Sequence, residues 1–186
     1  ENVAAALGNM AAAYQQKGDL DKAIELGEKA LAIKIKVLGE DHPEVAMSLN
    51  NLGVVHEYKG NYDRAIELYE RALAIKIKTH GENHPSVAMS YSNLAIVHDK
   101  KGELDTSIEL AEKALAIKIK TLGHNHPNVA RSYNNLALSY EQKGDLRVTV
   151  EYGTKAVAIA TKTLGAEHPE TKEWQKNFAI FQAALK

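Results

Sequence analysis

Apolar residues recur along this chain in alternating stripes, each at the three-to-four-residue spacing of a helix buried on one side. Over 43–59 the apolar face carries Val45, Leu49, Leu52 and His56. Over 62–79 it carries Ala65, Leu68, Tyr69, Ala72 and Ile75. Pro43 opens the first stretch, where its missing N–H falls among the unpaired groups of the first turn. Gly60 closes it by supplying left-handed backbone. Gly81 closes the second, and Asn83-His84-Pro85 turns the chain into the next stretch. The spacing predicts one helix from Pro43 to Lys59 and another from Tyr62 to Thr79. No part of the unit reads as a strand.

The pattern repeats every 42 residues. Lys17-Gly18 returns as Lys59-Gly60, Lys101-Gly102 and Lys143-Gly144. His42-Pro43 returns as His84-Pro85, His126-Pro127 and His168-Pro169, and Asn9 returns as Asn51, Asn93, Asn135 and Asn177. A period of this length marks a solenoid, in which no unit can bury its apolar stripes alone and neighbours must stack. The units are 1–42, 43–84, 85–126 and 127–168, followed by 169–186, which matches a first helix only. Gly53, Ala65 and Ala72 are expected to let helix backbones approach closely. The chain opens at Glu1 in mid-unit and reads as a piece of a longer array.

Two regions depart from the pattern. Arg147, Val148, Thr149 and Val150 stand where the other units begin their second helix with Asp-x-Ala-Ile or a close variant, and three β-branched residues in a row lower helix propensity. The last unit is therefore expected to be the least stable. The closing segment carries Trp174, Phe178, Ile180, Phe181 and Leu185, a bulky set that reads as a terminal cap.

Composition removes several function classes. With 23 basic and 24 acidic side chains the net charge is −1, so the basic excess of a nucleic-acid binder is absent. There is no cysteine, hence no thiol nucleophile or thiolate metal site. No apolar run approaches the roughly 18 residues that cross a bilayer. No phosphate loop, nucleophile elbow or metalloprotease motif is found. Successive His-Pro histidines lie in successive units, too far apart for one ion. His80 with His84 and His124 with His126 are near neighbours without thiol support, and His56 and His98 fall in an aromatic slot at a helix contact. Neither a cofactor nor a metal is expected. Lys34, Lys36, Lys76, Lys78, Lys118 and Lys120 read as one solvated face of the second helices.

The units resemble the tetratricopeptide repeat, whose usual form runs W-x2-L-G-x2-Y, A-x3-F, A and P. Unit two offers Leu49, Leu52-Gly53, His56, Ala65, Tyr69 and Ala72; unit one offers Leu7, Met10-Ala11, Tyr14, Ala23, Gly27 and Ala30. Eight extra residues lengthen the second helix, and the resulting form is similar to the repeat of kinesin light chains and their relatives. The resemblance implies an all-α, right-handed superhelical solenoid of antiparallel helix pairs. It implies a non-catalytic, cytoplasmic interaction scaffold that binds an extended peptide along a concave groove lined by first helices. Carried over position by position, the groove would hold Asn9 with Gly8, Ala12 and Gln15; Met47, Asn50, Asn51, Val54, Glu57 and Tyr58; Met89, Ser92, Asn93, Ile96, Asp99 and Lys100; and Arg131, Asn134, Asn135, Leu138, Glu141 and Gln142.

The asparagines form a ladder whose amides suit a peptide backbone, because each offers a donor and an acceptor. Alternatively they tie neighbouring helices together. Asn93 is expected to matter most, being near the middle. A carboxylate clamp is disfavoured, since only Arg131 and Lys100 could supply cations. The expected partner is thus a protein or peptide, with no nucleic acid and no membrane insertion. The alternative is a spacer, sensor or self-association module of a larger signalling protein.

Overall fold

The computed structural model describes residues 2–184. Among them the chain forms nine α-helices and no strand: α1 (Asn2–Gln16), α2 (Leu20–Leu38), α3 (Pro43–Tyr58), α4 (Tyr62–His80), α5 (Pro85–Lys101), α6 (Leu104–Leu122), α7 (Pro127–Lys143), α8 (Leu146–Leu164) and α9 (Pro169–Ala184). Two helices in each of the four repeats, and a single helix after them, match the two stripes per unit. The ends fall within a residue of expectation: α3 stops at Tyr58 with Lys59 as its cap, and α4 runs one residue past Thr79. Gly102 at φ +85° takes the left-handed conformation that ends α5, where any Cβ would be strained.

The His-Pro pairs do more than turn the chain. Nδ1 of His42, His84 and His126 accepts the backbone N–H of Glu44, Ser86 and Asn128 at 3.2, 3.2 and 3.0 Å. His168 does the same for Glu170 at 3.3 Å. Each histidine caps its first helix, an interaction of the kind that contributes about 1 kcal/mol. Asp19 and Asp145 cap α2 and α8, each accepting a backbone N–H at 3.1 Å.

The chain divides into two compact units, Glu1–Glu103 and Leu104–Lys186. In the first, α1 packs on α2, α2 on α3, α3 on α4 and α4 on α5. Its core holds Leu31, Val45, Leu49, Leu52, Leu68 and Ile75, so the faces read from the apolar stripes are the buried ones. In the second, α6 packs on α7, α7 on α8 and α8 on α9. Its cores centre on Ile108, Val129 and Leu136, and on Ala137, Ala160, Trp174 and Phe178.

Two expectations need correction. Gly53 makes room for a ring rather than a backbone: a Cβ there would lie 2.6 Å from the Tyr69 ring. The β-branched stretch of the fourth repeat is helical, as the four expected helix pairs require; Asp145 caps α8 and the Thr149 hydroxyl donates to the Asp145 carbonyl at 2.8 Å. Of the bulky cap residues, Trp174 and Phe178 are buried, but Ile180 is 63% exposed on the outer side of α9. Leu185 lies outside the described residues.

Candidate functional site

In the first unit, α1, α3 and α5 carry the residues expected to line a groove. Met47, Met89 and Ile96 are 53, 56 and 48% exposed, a high fraction for apolar side chains and one that leaves them free for contact. Asn9 and Asn51 are exposed, while Asn50, Val54 and Asn93 are half-buried. The structure brings two of the asparagines together: Asn93 Nδ2 donates to Asn50 Oδ1 at 3.0 Å, tying α5 to α3. Asn51 faces the equivalent place in the first repeat, where Gly8 stands in the position of Asn50 and offers no side chain. The expectation that Asn93 dominates therefore changes, because part of its amide is engaged and Asn51 is the more available.

The candidate cations are also engaged. Lys100 donates to Glu57 Oε1 at 2.7 Å, and Tyr69 O–H donates to Glu57 Oε2 at 2.8 Å. Burial, then the Glu57 hydrogen bond, pushes the Tyr69 phenol up and keeps it neutral. In the second unit, Asn134 is half-buried and Asn135 is exposed on α7, and Leu138 is 42% exposed. Arg131 makes a two-pronged pair with Glu170 of α9, at 2.9 and 3.2 Å. That pair holds the Glu170 carboxyl below its usual range. With Lys100 and Arg131 both paired inside the protein, neither is poised to clamp a terminal carboxylate.

The lysine face splits in two. Positions two apart on a helix point about 200° apart, so the two lysines of each unit cannot share a side. Lys76 donates to Ser90 Oγ at 2.7 Å and Lys118 to Ser132 Oγ at 3.0 Å, and burial lowers the pKa of both amines. Lys34, only 15% exposed, pairs with Glu44 at 3.2 Å. Lys36, Lys78 and Lys120 are exposed. Another periodic contact was not read from the sequence. Lys59, Lys101 and Lys143 pair with Asp21, Asp63 and Asp105, each on the preceding second helix. The shared period of both residues was the signal.

His80 and His84 stack at 4.5 Å, and among the described residues no three His, Cys, Asp or Glu side chains converge. Among the same residues no helix is long and apolar enough to cross a membrane. His56 is buried, its Nδ1 3.4 Å from Asn61 Nδ2, whereas His98 Nδ1 lies 2.5 Å from Glu103.

A family model described as the tetratricopeptide repeat matches residues 2–78, 59–120 and 86–160. No curated protein matches the chain. Among solved structures, it is similar to one described as kinesin light chain nearly identical TPR-like repeats from Podosopora anserina. That similarity has 31% identity over 97% of this chain and 95% of the other, with a TM-score of 0.78. BtubC (BKLC) from P. vanneervenii is 25% identical over 96% of this chain and 71% of its own, with a TM-score of 0.81. MamA is 26% identical over 87% of this chain and 80% of its own, with a TM-score of 0.66.

Proposed function

Because the chain belongs to the tetratricopeptide repeat family, we propose that it is a non-catalytic scaffold, cytoplasmic and kinesin light chain-like, that holds an extended segment of a partner protein. The reading keeps the unit boundaries at 42/43, 84/85, 126/127 and 168/169. The contact residues are Asn9, Met47, Asn50, Asn51, Val54, Met89, Asn93 and Ile96 in the first unit, with Arg131, Asn134, Asn135 and Leu138 in the second.

One observation carries it. On the first-helix face of the first unit the apolar side chains Met47, Met89 and Ile96 stand exposed beside amides, while Lys100 and Glu57 cancel each other. Such a face suits backbone and apolar side chains better than phosphate or a charged metabolite. Methionines adapt their shape to varied partners. The internal pairing of Lys100 and Arg131 speaks against nucleic acid, which needs free cations.

The test is a peptide-array screen followed by titration of the best binder. A net hydrogen bond contributes about 0.5–1.5 kcal/mol, so Asn51→Ala should weaken binding roughly two- to tenfold with an unchanged melting temperature. Asn93→Ala should lower the melting temperature as well, since it breaks the tie to Asn50. Unchanged affinity in Asn51→Ala, Asn93→Ala and Asn135→Ala alike sinks the reading.

A further inference from the structure

A cavity of about 210 Å³ opens beside the start of α1, lined by Asn2 and Ala5 of α1, by Ile33, Lys34 and Val37 of α2, and by Glu44 of α3. Its lining joins apolar surface to a carboxylate. The first repeat differs from the others here. Ala5 stands where they have Met47, Met89 and Arg131, so less side chain covers the space. Val37 stands where they have Thr79, Thr121 and Thr163, whose hydroxyls turn back to carbonyls of their own helices at 2.8 Å. Val37 gives an apolar wall instead and is 56% exposed.

The fourth repeat shows what the equivalent place takes. Glutamate returns at the Glu44 position once, as Glu170; the junctions between have Ser86 and Asn128 there. Arg131, at the Ala5 position, meets both carboxylate oxygens of Glu170, at 2.9 and 3.2 Å. The first junction keeps the glutamate and lacks the arginine. Lys34 is a poor substitute. Its ammonium approaches Glu44 Oε2 at 3.2 Å, longer than the about 2.7–2.9 Å of a good charge-assisted hydrogen bond. An ammonium also lacks the two parallel N–H groups that a guanidinium presents to a carboxylate. The counterparts of Lys34, Lys76 and Lys118, reach Ser90 and Ser132 instead, and Ser48 stands at that position on α3.

We propose that this cavity receives an arginine side chain of the bound partner segment, with its guanidinium on Glu44 as Arg131 sits on Glu170. The proposal rests on the reading that the protein holds an extended segment. An arginine carries an apolar stem and a planar charged head, and the lining offers a surface to each. The stem lies on Ala5, Ile33 and Val37. The head takes the Glu44 carboxylate, and the Asn2 amide oxygen can accept a further N–H. Lys34 yields its place on Glu44 and turns to Ser48, the partner its counterparts use. Its displacement limits the affinity, because two cations then share one carboxylate.

The experiment is an amide-detected NMR titration of the whole chain with N-acetyl-arginine methylamide, and with the lysine and glutamate analogues. The arginine probe should shift the Ala5, Val37 and Glu44 amides and bind more tightly than the lysine probe; the glutamate probe should leave them unmoved. Glu44→Gln should weaken the arginine probe roughly two- to fivefold, as loss of a partly exposed ion pair does. Lys34→Met, which removes the competing cation, should tighten it. Ala5→Arg, an exposed change that copies Arg131, should abolish the shifts by filling the cavity from within. The proposal is overturned by absence of shifts, by their persistence in Ala5→Arg, by unchanged affinity in Glu44→Gln, or by weaker binding in Lys34→Met. Shifts with the glutamate probe would also overturn it and would make Lys34 the receptor of an anion. Such failures leave peptide binding at the asparagines standing. A chain that holds the arginine probe yet no array peptide would instead count against the scaffold reading alone.

Discussion

The junction after the second repeat and the junction after the fourth use the same positions with opposite chemistry. After the second repeat, Lys76 of α4 reaches Ser90 of α5, a polar staple at the helix contact. After the fourth, the equivalent positions are Ala160 and Trp174, both buried in one apolar cluster. The second repeat carries its bulk on the second helix as Tyr69 and hollows Gly53 to fit it. The fourth hollows the second helix at Gly153 and takes its bulk from α9 as Phe178. The aspartate that receives a lysine in the earlier repeats is Arg147 in the last. A repeat flanked by copies can thus share small and polar contacts on both sides. α9 instead buries large rings, Trp174 and Phe178, against the small residues Ala156 and Ala160 of α8.

The largest test of this contrast is removal of the ring. Phe178 is buried and fills the Gly153 hollow, so Phe178→Ala leaves a cavity that nothing nearby is shaped to close. Phenylalanine-to-alanine changes in cores cost about 3–5 kcal/mol. Solenoid stability is roughly a sum over repeats and their neighbour contacts. The loss should therefore appear as early amide exchange in α8 and α9, with α3 and α4 protected. In the unaltered chain too, α8 and α9 should exchange first. Earlier exchange of α3 and α4 would reverse the comparison.

A smaller effect separates the same two repeats by pH. One slot holds His56 in the second repeat and Tyr140 in the fourth. Burial lowers the His56 pKa below 6.5, Arg64 and Lys59 push it the same way, and Glu28 opposes them. A depressed imidazole contributes stability that is complete above pH 6.5 and is lost as pH falls. Tyr140 donates instead to Glu112 at 2.9 Å, and burial followed by that bond raises its pKa from 10.0. Its contribution is complete below pH 10.0 and is lost in alkali, as is that of Tyr152, pushed up to about 12 chiefly by burial. Melting the chain and its His56→Tyr variant across the range below pH 6.5 should show a smaller acid loss in the variant. Equal losses would remove His56 from the account.

Much of this fold was legible in the apolar stripes and in the Pro and Gly that bound them, because burial of a helix face leaves a periodic trace. What escaped depends on direction and on backbone geometry. Lys76 and Lys78 share a period, but only the rotation between them says which one meets Ser90. The histidine caps need Nδ1 placed on a backbone N–H two residues on, which residue type alone does not reveal. Asn50 and Asn93 meet because neighbouring helices are offset by one position in the 42-residue register, and a search for same-phase pairs overlooks that offset. Glycine at the aromatic position of the repeat pattern, in Gly27 and Gly153, was a visible signal of a hollow. The sequence does not say which neighbouring side chain meets it, Leu52 at the first and the Phe178 ring at the second.

The smallest predicted effect runs the other way, toward greater stability. Val45, Val87 and Val129 occupy one slot in the first three first-type helices after α1, and all are fully buried. In α9 the slot holds Thr171, equally buried, and its hydroxyl has no hydrogen-bond partner. A buried, unpaired polar group costs about 1–3 kcal/mol. Valine has nearly the same shape, so Thr171→Val should remove that cost without opening a cavity or crowding Trp174. The repeats themselves provide the precedent for valine on this backbone. The expected gain is about 1 kcal/mol, a rise of about 2–4 °C in melting temperature for a chain of this size, and it should slow amide exchange in α8 and α9 in particular. A variant that melts at or below the parent temperature would mean that the hydroxyl is satisfied in solution. The cap would then differ from the inner repeats in its bulk alone.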